Sequence, residues 1–281
     1  MHIEARPVET AGGRIDVREA GEGVNVLFVH GLMVNGQVWD PLVRGLRGRC
    51  RMVMPDMPLG GHRTPLAPDA DCSLEAQAAR VREIARGLEG PVVLVGNDTG
   101  GAIAQIAVAR EPELFARLVL LPSDAFGNCP PRPLLPMRAL LAVPGAMRAV
   151  APLLRLGPVQ RAVMALVARS RVPVDRIGAM VGELPRDRGV QRDFVKLVRG
   201  LRPAVTRAVA GELGRFERPV LIVWSRKDPL FPFGHAERLA ACFPDSSVVV
   251  AERSRAFVSL DEPDWLAERL AEFIGPVAPA H

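Results

Sequence analysis

The residue best placed to do chemistry in this chain of 281 residues is Asp98. Pro91 to Gly101 reads PVVLVGNDTGG, a buried strand, a sharp turn and a helix start with the carboxylate at the apex. Gly96, Gly100 and Gly101 allow tight backbone approach around it. A carboxylate held this way can attack carbon or move protons. Asp124 follows the next apolar run, at 118–121. If Asp98 and Asp124 face one apolar cavity, repulsion and desolvation raise at least one pKa and leave a carboxylic acid able to shuttle protons near neutrality. Imidazole is scarce. His2 and His281 are terminal, His235 lies on a helix where it is expected to face solvent, and His30 and His62 sit in loops. His30 and His62 are the possible substitute bases, although each also suits a bracing role in its own loop.

The elements that must position these groups follow from hydrophobic periodicity and turn chemistry. Residues 3–9 and 14–19 alternate as an opening hairpin around Ala11-Gly12-Gly13. Asn25 to Val29 is a buried strand running into His30-Gly31-Leu32, with a helix beginning near Gln37. Arg51 to Pro55 is a further strand, and 73–88 a helix capped by Ser73. After the Asp98 turn comes a helix over 102–110 and the strand at 118–121. This alternation specifies a parallel sheet with right-handed crossovers. From 122 to about 217 prolines crowd between apolar, arginine-rich helical patterns at 147–156, 160–169 and 192–201, which predicts a helical cap with proline-rich hinges. Leu134, Leu135, Met137, Leu140, Leu141, Met147, Met164 and Met180 are candidates to line a pocket beneath it, with cap packing as their other role. The sheet resumes at 219–224, followed by the loop carrying Asp228, a helix over 234–242, a strand at 246–250 and a closing helix at 264–274, before a frayed tail at 275–281. The expected domains are a core at 1–121 and 218–281 interrupted by a cap at 122–217.

Bulk composition bounds the partners. The net charge is +5 and the pI near 9.6, but lysine occurs only at 196 and 227 and the arginines read as dispersed, so nucleic acid is not an expected partner. No apolar run approaches the ~18 to 20 residues that span a bilayer, so no membrane partner is expected. The four cysteines show no metal spacing and are expected as reduced thiols, and MHIEARPVE lacks a secretory pattern, which makes a cytoplasmic location the default. Phosphate-binding and dinucleotide-binding glycine motifs are absent, so neither cofactor nor metal is expected. The oligomeric state is not readable.

In order along the chain, His30-Gly31, the turn at 96–100, the helical insertion, the Lys227-Asp228 loop and Phe257 to Pro263 resemble the α/β-hydrolase fold. The resemblance makes the turn at Asp98 a nucleophile elbow. It implies that Asp98 stands at the nucleophile position, that the backbone NH groups of Leu32 and Thr99 form the oxyanion hole, and that Asp228 holds the acid position. Asp124 stands where some relatives place that acid. The pattern breaks at the catalytic histidine, whose place in Ser254-Arg255-Ala256-Phe257 is taken by Ala256.

An aspartate at the elbow resembles haloalkane dehalogenases and epoxide hydrolases, in which Asp attacks carbon and a histidine-activated water cleaves the ester. Dehalogenases hold the halide with NH donors where this chain has Thr99 and Leu32, and epoxide hydrolases use cap tyrosines, whereas this chain has no tyrosine. Three functions stay open: hydrolysis through an Asp98 ester, non-hydrolytic proton transfer in a lyase, isomerase or cyclase step, and binding without turnover. In each the ligand is an apolar small molecule.

Overall fold

The computed structural model describes residues 3–275; His2, His281 and the tail from 276 onward lie outside the described residues. Eight strands form one sheet: β1 (Glu4–Thr10), β2 (Gly13–Ala20), β3 (Asn25–Val29), β4 (Arg51–Pro55), β5 (Val92–Asp98), β6 (Arg117–Ser123), β7 (Val220–Ser225) and β8 (Ser246–Ala251). Their spatial order is β1-β2-β4-β3-β5-β6-β7-β8. The first two pairings, β1 with β2 and β2 with β4, are antiparallel, and the remaining strands run parallel. β5 lies between β3 and β6 and is buried along its whole length, which is why it reads as an unbroken apolar run.

The core helices are α1 (Val43–Leu46), α2 (Leu74–Arg86), α3 (Thr99–Arg110), and, toward the end of the chain, α10 (Gly234–Ala240), α11 (Val258–Asp261) and α12 (Pro263–Ile274). The helix expected near Gln37 is a 3-10 segment, Gly36–Leu42, whose Pro41 blocks a regular α-helical ladder, followed by α1. Ser73 caps α2 as expected, its hydroxyl accepting from the Ala76 amide at 3.2 Å. α3 is buried from Thr99 through Ala109, and its small residues let it press on the sheet. A Cβ on Gly96 would stand 2.8 Å from both Gly101 Cα and Ala104 Cβ.

Between β6 and β7 the chain is helical: α4 (Leu135–Ala142), α5 (Ala146–Val150), α6 (Gly157–Val167), α7 (Val174–Val181), α8 (Arg188–Gly200) and α9 (Pro203–Ala210). α4 falls in the stretch expected to be a proline-rich hinge. Pro136 sits in its first turn, where a missing amide costs no hydrogen bond, so the proline starts the helix instead of breaking it. Carboxylates make two of the contacts that fasten the helical segment to the core. At the first, buried Asp193 on α8 accepts from the Leu66 amide at 2.8 Å and faces His62 Nε2 at 3.4 Å, while Lys196 donates to the Pro68 and Ala70 carbonyls. At the second, Asp261 accepts from the Arg169 and Ser170 amides just beyond α6.

Candidate active site

The site is built on the β5–α3 turn. Asp98 has φ 58° and ψ −129°, a conformation disfavoured for any residue with a Cβ and tolerated best by Asn and Asp. The surroundings enforce it. A Cβ on Gly31 would lie 2.4 Å from Asp98 Cβ, one on Gly100 would lie 2.2 Å from the Val29 carbonyl oxygen, and one on Gly101 would lie 2.2 Å from Ser123 Cβ. Close approach on three sides holds the turn, and backbone strain of about 1–3 kcal/mol is characteristic of functional positions. Met33, on the neighbouring loop and also on the pocket wall, has φ 60°.

Asp98 is only 4% exposed. Its Oδ1 accepts from the Leu32 amide at 3.4 Å and from the Thr99 amide, so both expected oxyanion-hole donors converge on one oxygen. Burial raises the Asp98 pKa to about 6 against the opposing pull of those amides. Behind it, Asp124 is fully buried, and the Thr99 hydroxyl donates to its Oδ2 at 2.9 Å, while its Oδ1 has no partner. Burial first, and the charge of Asp98 second, push the Asp124 pKa well above the ordinary carboxylate range. The condition that both acids face one apolar cavity is not met. Asp98 is on the pocket wall, Asp124 is not, and Thr99 stands between them.

Asp228 lies off the pocket wall. Its Oδ1 accepts from the Leu230 and Phe231 amides at 2.7 and 3.0 Å, while Oδ2 is buried without a partner. Burial carries its pKa to about 6, and the charge of Asp98 adds to the rise. Ala256 is buried, and its carbonyl receives the Asn97 side-chain amide at 2.9 Å. Phe257 beside it forms part of the pocket wall.

Neither expected substitute base is on that wall. His30 is fully buried, its Nδ1 on the Gly31 carbonyl at 2.9 Å, and burial lowers its pKa to about 4, so it is neutral. His62 braces its loop, Nδ1 accepting from the Gly60 amide at 3.3 Å and Nε2 facing Asp193. His235 differs from expectation: it is half-buried, edge-on to Phe126 with centroids 5.7 Å apart.

The pocket is narrow, with a cavity volume of about 60 Å³, well below the ~300–1,000 Å³ typical of small-molecule sites. Among the described residues, Asp98 and Gln160 are its only polar side chains. Of the eight apolar candidates from the helical segment, Leu134, Met137 and Met164 line it; Leu141, Met147 and Met180 are buried packing, and Leu135 and Leu140 are exposed. Sequence reasoning missed Gln160, Leu230 and Phe257, which reach the wall from three distant elements with no local signature. The four cysteines are unpaired.

A strand–turn–helix elbow on a mostly parallel eight-stranded sheet, with a helical insertion after β6, defines a fold class, and comparison with known proteins gives the same answer. The family described as alpha/beta hydrolase fold matches residues 24–263. The chain therefore belongs to the α/β-hydrolase fold family. It is 28% identical over 287 residues to haloalkane dehalogenase 2 of Mycobacterium tuberculosis, covering 97% of this chain and 96% of that one. It is 26% identical over 283 residues to 2-(acetamidomethylene)succinate hydrolase of Mesorhizobium japonicum, with the same coverage, 97% and 96%. Among solved structures, the epoxide hydrolase CorEH superposes with a TM-score of 0.82 at 18% identity, over 99% of this chain and all of the other, a likeness of fold.

Proposed function

We propose that the protein is an enzyme acting on a largely apolar small molecule, with residues 122–217 as its cap and Asp98 as the group that gives and takes a proton. One observation carries this reading: among the described residues Asp98 is the only ionisable side chain on an apolar pocket wall, and burial brings its pKa to about 6. A carboxylate poised there takes a proton from carbon or oxygen and returns it at a second position without a change in its own charge over the cycle. The Leu32 and Thr99 amides steady Oδ1 in either state. The step is an isomerisation, elimination or cyclisation, and it requires no imidazole.

A second reading has its own observation. With Oδ1 held by two amides, Oδ2 is free to attack an electrophilic carbon, displacing halide from an alkyl halide or breaking a C–O bond of an epoxide to leave an alkoxide that takes up a proton, and the resulting ester would keep its carbonyl oxygen in the same pair of donors. The relationship to haloalkane dehalogenase 2 supports it. Its weakness is the second half of the reaction, since among the described residues no imidazole reaches the pocket wall to activate water.

The readings separate experimentally. Asp98→Ala is expected to abolish turnover of a true substrate while circular dichroism stays that of the wild type; undiminished turnover would overturn both catalytic readings. Incubation with alkyl halides and epoxides, followed by intact mass, distinguishes them. A persistent adduct on Asp98 supports nucleophilic attack with blocked release, and product without adduct supports proton transfer. Ligand affinity with no product at any pH would point to a binding protein.

A further inference from the structure

Between Asp124 and Asp175 the sequence contains no carboxylate, yet it carries seven arginines, from Arg132 to Arg171. None of the seven guanidinium groups is ion-paired among the described residues. The same stretch holds Leu135, Leu140, Val143, Leu153, Leu156 and Leu166, each between 44% and 57% exposed. Outside it, among the described residues, only Val248 at 36% is a large hydrophobic residue so exposed. Coinciding apolar exposure and unneutralised positive charge is unusual on a surface that faces only water.

These residues sit on α4 and the turn after it, on the 3-10 segment Ala151–Arg155, and on α6, which pack on one another in succession through α5. The same elements supply part of the pocket wall. Leu134, Met137 and Leu154 line the cavity next to exposed neighbours, and Leu166 is both exposed and on the wall. Among the described residues no single helix is long and apolar enough to cross a membrane. Arg132–Ala142 and Ala146–Arg155 together are apolar enough, but they are bent by 109° at their junction, a shape that lies along an interface.

Charge decides what covers this face. A second copy presenting the same face would bring two arginine-rich surfaces together, whereas an anionic lipid surface complements both the arginines and the leucines. We propose that this face of the cap docks reversibly on an anionic bilayer, with leucines at the acyl boundary and arginines among the headgroups. The pocket then draws its apolar ligand from the lipid phase, a clause that rests on the function proposed above; the docking itself does not. The earlier expectation of no membrane partner rested on the lack of a spanning segment, which surface docking does not require.

The test is flotation of the full-length chain with vesicles of phosphatidylcholine alone or of phosphatidylcholine mixed with phosphatidylglycerol. Binding needs no turnover, so its failure is separable from failure of the catalytic reading. The expected result is binding to the mixed vesicles about tenfold or more above the neutral ones, weakening as salt is added. Arg148→Glu/Arg155→Glu should remove the preference for phosphatidylglycerol. Leu140→Glu/Val143→Glu should remove binding, with circular dichroism and Tm unchanged in both. Equal binding to the two vesicle types, or binding that survives both double variants, would overturn the proposal. So would absence of vesicle binding together with a dimer in light scattering that Leu140→Glu/Val143→Glu dissociates, because the face would then be a contact between copies.

Discussion

At the scale of single residues, the energetics of the site turn on carboxyls that are costly to ionise. Asp98 and Asp228 have folded-state pKa values near 6 against about 4 in an unfolded chain. A raised carboxylate pKa contributes stability that is complete below about pH 4 and is lost as pH rises through about 6. Asp98→Asn keeps an acceptor for the two amides and a residue type that tolerates positive φ, but cannot ionise. It should therefore stabilise the fold at about pH 8 by up to about 3 kcal/mol, and leave stability near pH 4 unchanged. Thermal unfolding across that range is the measurement; equal Tm values for the two proteins at alkaline pH would contradict the burial account. The pH dependence of turnover has the opposite sense. If Asp98 begins the cycle as a base, kcat/KM rises through about pH 6 and vanishes in Asp98→Asn. Asp98 was legible in the sequence because an elbow is a local signal made of glycines and one polar apex. Gln160 and Phe257 were not, because each joins the site only through tertiary packing.

At the scale of elements, the β5–α3 turn is held by three segments pressing on it, and the helical segment between β6 and β7 by a few buried polar contacts. Gly31→Ala would place a methyl group 2.4 Å from Asp98 Cβ, so the carboxyl must move. Turnover should fall about a hundredfold with a much smaller loss of Tm, since small displacements of a reacting group are expensive. The Asp193 fastening makes a separate prediction. Burial opposes ionisation of Asp193, but hydrogen bonds from His62, the Leu66 amide and Arg192 hold its pKa below the usual carboxylate range. Asp193→Asn should cost about 2–3 kcal/mol and open the loop at 60–70 to limited proteolysis before the sheet unfolds, because a buried charged acceptor is lost. Cleavage no faster than in wild type would place the strength of the fastening elsewhere. The sheet and α2, α3 and α12 follow directly from periodicity and capping. α4 escaped because proline suggests a break wherever it occurs, and only position within the turn shows that Pro136 does no harm.

At the scale of the whole molecule, the family and the order of its elements were readable from five weak motifs in sequence. The surface was not, because exposure is a property of the packed chain. The arginines that read as dispersed along the sequence are in fact unevenly shared: residues 122–217 have sixteen Lys and Arg against seven Asp and Glu, whereas the remainder has twenty against twenty-four. The proposed cap is thus a cation set on a slightly anionic body. Charge separated in this way gives the molecule a permanent electric moment directed from sheet to cap. Near a negatively charged plane such a body experiences a torque at distances of order the Debye length, about 10 Å at moderate salt. It would turn cap-first before any leucine touches the surface, so the approach is oriented by the field and only afterwards secured by apolar contact.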